Sequence, residues 1–298
     1  MKHLILNKRD QKSRRLSVLP LFAALALLAT GCSRAEFSMY DDGKFKSAGL
    51  QENPPDAVVC DPFNSGNNIS ATLGLKGSIH YAESLTSRPS SSTDLIRDGK
   101  KLDAELFLSR LFVPTRMFDS GFVAEGGRAL QNEKGEVLTE WFALDMQSKI
   151  KLAAGEVTGL YQLAVLSDDG ATLLLNNPAT GAFEPLIQSE GAHETKLACA
   201  GQVVEMGAST KIPMRLTYFQ GPRFHISLVL MWRKVSGSMA SIAESECGKL
   251  GNEYFFTPGT ATKAAIPKAP YQGLLARGWK PLNAENFELV SGSNRCVK

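Results

Sequence analysis

The chain is poor in the residues that mark a metalloenzyme or a nucleotide enzyme. It holds only 5 cysteines and 4 histidines in 298 residues. No two cysteines stand as C-x-x-C, which excludes a zinc ribbon. No histidines form H-E-x-x-H, and "AHET" at 192–195 sits in a polar stretch unlike any zinc helix. G-x-S-x-G and a glycine-rich phosphate loop are missing too. No apolar run reaches comfortable membrane-spanning length. The longest, "LSVLPLFAALALLA" at 16–29, is short and broken by Pro20.

That run has a different reading. Six bases and one acid precede or flank it in residues 1–15, and "LATGC" follows it. A charged region, a short apolar region and small residues make an export signal. The cysteine after Thr-Gly makes residues 1–31 resemble a bacterial lipoprotein signal. That resemblance implies cleavage before Cys32 and lipidation of Cys32. One position departs from the pattern, with Ala29 where a leucine is usual. Ser33, rather than aspartate, then implies the outer membrane.

Removing the signal changes the charge balance. The whole chain is formally +3, with 33 bases and 30 acids. The signal takes six bases and one acid, which leaves 27 against 29 and a net charge of −2. No basic stripe remains, so a nucleic-acid partner is not expected. Four cysteines also remain: Cys60, Cys199, Cys247 and Cys296. An even number in an exported chain predicts two disulfides with three possible connectivities. The favoured one joins Cys60 to Cys199 and Cys247 to Cys296.

Residues 32–72 read as the lipidated cysteine and a tether, without period and with Pro54-Pro55 near the middle. Residues 73–235 carry many short apolar or alternating runs with turn signals between them. "TEWFALD" and "SKIKLAAG" read as two strands, and "TSRPSSST" at 86–93 as a loop. "AELFLSRLFV" at 104–113 fits helix or strand, with Pro114 as its stop. In "FHISLVLMWRK", Ile226, Leu228, Leu230 and Trp232 share one face. The series predicts an all-β fold, an antiparallel sandwich or barrel. Residues 236–298 are Pro- and Ala-rich and read as an irregular, disulfide-held extension. "NAENFELV" within it is a candidate last strand. Trp141 and Trp232 are expected in the core. Trp279 is expected to pack over the barrel, and Arg215 to pair with an acid.

Three blocks occur in order: "GLKGSIHY", "GLYQLAVLSDDGATLLLNN" and "KIPMRLTYFQGPRFHISLVLMW". Together they resemble the β-barrel domain named after the anthrax protective antigen, the PA-fourteen domain. Its usual run is a "GxYxFxLxSDDGxxLxIDG" hairpin followed by "hPIRIEYFQGxGxAxLxLxW". The likeness spans roughly 74–234. The family occurs in adhesins, glycosidases, toxins and surface proteins, and its best-understood members bind carbohydrate. Its glycosidases carry a separate catalytic domain, so this chain is not expected to be an enzyme.

"SDDG" at 167–170 supports two readings. Asp-Gly between apolar runs is a strong turn signal. The same tripeptide at 41–43, in polar surroundings, reads as nothing more. The resemblance adds a second reading, because in yeast adhesins of the family two adjacent aspartates joined by a cis peptide bind Ca²⁺, which binds sugar hydroxyls. Neighbours on a strand otherwise point to opposite faces, so convergence needs a distorted backbone. The resemblance therefore implies Asp168 and Asp169 as metal and ligand residues. The adhesins' third ligand is an asparagine, and here Gln220 stands in its place. Asn176 and Asn177 occupy the family's next turn and are further ligand candidates, although "NNPATG" is ordinary loop chemistry.

The sequence thus points to a lipid-anchored envelope or surface module that binds carbohydrate or another envelope polymer. The alternative is a structural or protein-interaction lipoprotein without glycan binding, in which residues 236–298 meet an envelope-protein partner.

Overall fold

The computed structural model describes residues 57–62, 71–84, 88–122, 129–236, 243–292 and 294–296. The signal, Cys32 and the tether up to residue 56 lie outside the described residues. Twelve strands form the body: β1 (Ala57–Cys60), β2 (Leu75–Tyr81), β3 (Lys100–Lys101), β4 (Ala104–Leu108), β5 (Phe112–Met117) and β6 (Phe142–Lys151), then β7 (Gly159–Asp168), β8 (Ala171–Asn176), β9 (Phe183–Ser189), β10 (Lys196–Met206), β11 (Lys211–Gln220) and β12 (His225–Val235). The C-terminal part adds four two-residue strands, β13 (Phe256–Thr257), β14 (Ile266–Pro267), β15 (Lys280–Pro281) and β16 (Phe287–Glu288).

Two sheets face each other. One runs β1-β4-β2-β6-β11-β8-β9, with β16 on β6 and β3 on β2. The other runs β10-β7-β12-β15, with β5 also on β12. All pairings are antiparallel except β1 on β4. The predicted antiparallel sandwich is therefore the observed architecture. Among the described residues no helix is long and apolar enough to cross a membrane.

Strand alternation builds the core. Phe142, Leu144 and Met146 of β6 and Leu216 and Tyr218 of β11 face Leu163 and Val165 of β7. Ile226, Leu228, Leu230 and Trp232 of β12 join them, as their common face predicts. The other face of β12 is also buried. Val229 and Met231 pack with Phe255, Phe256, Tyr271, Leu274 and Trp279 of the C-terminal part. Each such side chain contributes about 1.5–3 kcal/mol on burial. Trp279 is thus buried rather than exposed, and its Nε1 donates to Glu244 at 3.0 Å.

Several local expectations need correction. "TEWFALD" and "SKIKLAAG" form one strand, β6. Ser148 sits on its inward face, where the hydroxyl donates to Gly74 O and Glu288 O and so satisfies itself inside. Pro114 does not stop the run before it. It lies within β5, where the pairing with β12 shifts register between Ile226 and Leu228, and a bulge needs no donor there. The loop expected at 86–93 hands over to helix α1 (Ser92–Asp98), capped by the Ser91 hydroxyl accepting from Asp94 N. The extension contains helix α2 (Ala269–Ala276), with Pro270 in its first turn. The candidate strand at "NAENFELV" is present as β16 on β6. Residues 57–60, within the expected tether, form a strand.

The disulfide connectivity is also corrected. Cys60 bonds Cys296 and Cys199 bonds Cys247, each with Cα atoms 5.6 Å apart. The cause is backbone pairing. Gly248 N donates to Leu197 O and Leu197 N to Lys249 O, which lays the 247–249 segment against β10. The chain end meets the opposite sheet, where Asn294 N donates to Ala71 O.

Candidate functional site

The β7–β8 hairpin carries the opening motif. Strand β7 ends at Asp168, and Ser227 of β12 stands opposite. Strand β8 begins at Ala171, opposite Tyr218 of β11. Gln220, two residues on, ends β11. Asp168, Asp169 and Gln220 therefore meet at one end of the sandwich. Asn176 closes β8 at the other end, about 17–20 Å away for a strand of this length. Asn176 Nδ2 donates to Gly181 O, and Asn177 bonds Glu184 and Ala179 N. The two asparagines hold their own loop and are not brought to the acid pair.

The turn is tighter than Asp-Gly chemistry alone requires. The Asp168–Asp169 peptide is cis, as is Arg223–Phe224. Gly170 does not adopt a positive φ. It is needed because a Cβ there would stand 2.9 Å from Gly191 N and 3.1 Å from the Glu190 Cα. The neighbouring 190–193 loop thus lies directly on the turn, and it supplies a donor.

Asp169 Oδ1 accepts from His193 N and Oδ2 from Gly221 N, both at 2.8 Å. Asp168 Oδ2 accepts from the Thr195 hydroxyl at 2.7 Å. Both aspartates are only 3% exposed. Burial, assisted by the charges of Asp169 and Glu194 against the Thr195 hydrogen bond, pushes Asp168 up to about 8. Burial also pushes Asp169 up to about 7, against the Gly221 and His193 amides, with Glu140 adding repulsion. The neighbouring charges that act on the pair are all acidic.

This donor set suits a hard cation in part. Two adjacent carboxylates with spare lone pairs, in a negative setting, are what Ca²⁺ takes. The Gln220 side chain does not fit as the third ligand. It is fully buried, its Oε1 accepts from the Tyr218 hydroxyl, and its Nε2 donates to His225 O at 3.0 Å. The Tyr218 hydroxyl also reaches Asp168 O, so the amide buttresses the turn from beneath. Among the described residues no group of three His, Cys, Asp or Glu is placed to hold a metal.

The rim contributes residues that the motif does not reveal. Glu140 accepts from Arg223 N at 2.9 Å and lies near its guanidinium. Phe224 is 62% exposed, an aromatic surface in the loop between Gln220 and His225, whose Gly221 N donates to Asp169. Trp141, with φ 55°, packs edge-on against Phe219 and under Arg88. The signal for Phe224 was available: it follows Gln220 by four residues in the loop after β11. Arg215 lies lower on β11 and pairs with Asp145 through two bonds of 2.7 and 3.0 Å, the acid partner expected for it.

The class defined so far is an all-β sandwich with a buried acid pair and an exposed aromatic at one end. No protein-family model matches the chain, and no curated protein does. Among solved structures it is similar to the PA14 domain of the antifreeze protein MpAFP, at 13% identity, covering 70% of this chain and all of that one, with TM-score 0.38. It is similar to the PA14 sugar-binding domain of an RTX adhesin, at 14% identity over 56% of this chain and 93% of that chain, TM-score 0.33. It is also similar to the epithelial adhesin 6 A domain of Candida glabrata bound to Galβ1-3GlcNAc, at 14% identity over 69% and 95%, TM-score 0.39. These likenesses concern the fold alone.

Proposed function

We propose that the protein is an exported carbohydrate-binding module, held to the cell envelope by lipid on Cys32, that grips its ligand at the Asp168–Asp169 end. The observation that carries this is the acid pair itself: two adjacent, buried carboxylates that form no ion pair with a base among the described residues. Buried anions in such a setting call for a cation. Asp168 and Asp169 would hold Ca²⁺, and the ion would supply a Lewis-acidic contact for vicinal sugar hydroxyls. The chain's own part is to fix both carboxylates through Thr195, His193 and Gly221, and to offer the Phe224 ring as an apolar floor for a pyranose face. Two disulfides support export, since such bonds persist in oxidising compartments.

The test is glycan-array binding of the soluble chain from residue 33 onward, with and without chelator. Binding that disappears with chelator, and in Asp168→Ala plus Asp169→Ala at unchanged secondary structure, is the expected result. Binding that ignores both treatments rejects the site.

A further inference from the structure

A second charged group at this end has no partner, and it is a cation. Arg116 lies in β5 opposite Ile226 of β12. Directly opposed residues of an antiparallel pair project to the same face. Ile226 is fully buried in the main core, and Phe118, two residues beyond Arg116, packs on that core as well. The Arg116 side chain is therefore directed between the sheets, and the residue is 5% exposed.

Its Nε and Nη2 are buried and meet no hydrogen-bond acceptor. Burial pulls the guanidinium down to about 10, against the raising charge of Asp119, so it stays protonated at neutral pH. Asp119 itself is solvent-exposed and forms no ion pair with Arg116. A second, independent observation lies on the same inner face. Ser167 of β7 stands opposite Leu228, a core residue, and its Oγ is also buried without a partner. A guanidinium has donors only, and an uncompensated buried charge is strongly unfavourable. Water would satisfy the donors but leave the charge.

We propose that Arg116 holds a small monovalent anion, a halide or a carboxylate, inside this end of the sandwich, with Ser167 on the same wall. The near-complete burial of Arg116 favours a small anion such as chloride or formate. This site is separate from the acid pair and does not depend on the glycan reading.

The test uses the full soluble chain exchanged into sodium gluconate, whose anion is too large to enter. Sodium chloride and sodium formate are titrated in turn at constant ionic strength while the unfolding midpoint is followed. The native midpoint should rise with the logarithm of anion concentration, as ligand linkage requires. It should stay flat in Arg116→Met. A rise with chloride alone assigns a halide, and a rise with formate alone assigns a small carboxylate. Crystals grown in bromide should show an anomalous peak within hydrogen-bonding distance of the guanidinium, which decides the matter if Arg116→Met does not fold. A flat native titration, an equal rise in the variant, or water alone at Arg116 overturns the proposal.

Discussion

At the scale of single residues, the acid pair makes stability depend on pH in an uncommon direction. Carboxylates that are paired or hydrogen-bonded in the folded state usually titrate below their unfolded values, so most proteins lose stability in acid. Here burial raises Asp168 to about 8 and Asp169 to about 7. A group raised in the folded state stabilises fully below its unfolded pKa, and that contribution disappears as pH climbs through the folded value. The metal-free chain is therefore expected to have a higher unfolding midpoint at pH 5 than at pH 8. Asp168→Asn should reduce the difference, with Asp169 keeping its part of it, and calcium should restore the midpoint at pH 8 while doing little at pH 5. Calorimetry across that range checks the three statements together; a midpoint that rises with pH contradicts the electrostatic account. Phe224 makes a prediction of another kind. Being exposed, it adds little to the fold, so Phe224→Ala should move stability by less than about 0.5 kcal/mol. Losing an aromatic contact of about 0.5–1.5 kcal/mol should weaken glycan binding roughly two- to tenfold, measurable by isothermal titration. That Asp168 and Asp169 sit together in a turn was legible because their motif is local. The sequence misassigned Gln220, because an amide's partners here, Tyr218 and His225 O, are set by tertiary packing. Asn176 and Asn177 were close to the pair in sequence, but a whole strand separates them in space.

At the scale of elements, β12 explains why the C-terminal part belongs to the domain. Its alternation was legible: Ile226, Leu228, Leu230 and Trp232 do share the core. What alternation left open was the cover for Val229 and Met231. Residues 254–279 are that cover, although "TPGTATKAAIPKAPYQG" shows no period, since it packs by α2 and short irregular pieces rather than by a continuous element. Glu244 clamps the arrangement. Its side chain is 1% exposed and accepts from Arg277 Nη2 at 2.8 Å, Arg233 Nη1 at 3.3 Å and Trp279 Nε1. Trp279→Ala should cost about 3–5 kcal/mol through the lost burial. Glu244→Ala should cost less than that, because only Arg233 would keep a buried setting without its anion, while Arg277, 41% exposed, would turn to solvent. Urea denaturation of both variants measures this, with an unchanged slope if the rest of the domain folds as before. Deleting 236–298 is not a clean way to remove a partner surface, since it would bare one face of β12.

At the scale of the whole molecule, the two disulfides tie down the parts that strand pairing holds least. The sequence supplied their number but not their pairing, because connectivity follows from which backbone segments lie together, and those contacts join residues 48 and 236 positions apart. Cys199–Cys247 locks the start of the C-terminal cover onto β10. Cys60–Cys296 locks the last residues onto β1, a four-residue strand at the margin of its sheet. The two bonds should therefore fail differently. Replacing Cys199 and Cys247 by serine releases a loop of 48 residues whose closure is worth about 4 kcal/mol on the chain-entropy account. Because that loop leads directly into the cover of β12, the loss should appear as a lower global unfolding midpoint. Replacing Cys60 and Cys296 opens the longer loop of 236 residues, worth about 5.5 kcal/mol on the same account, so the global midpoint should fall here too; the difference is local, with amide exchange quickening first at 57–60 and 289–296, where the bond ties a short marginal strand to the chain end. Non-reduced peptide mapping fixes the premise: a Cys60 peptide linked to Cys199 would overturn this division of labour. Hydrogen exchange on the two variants then separates a staple that holds the core together from one that holds its edge.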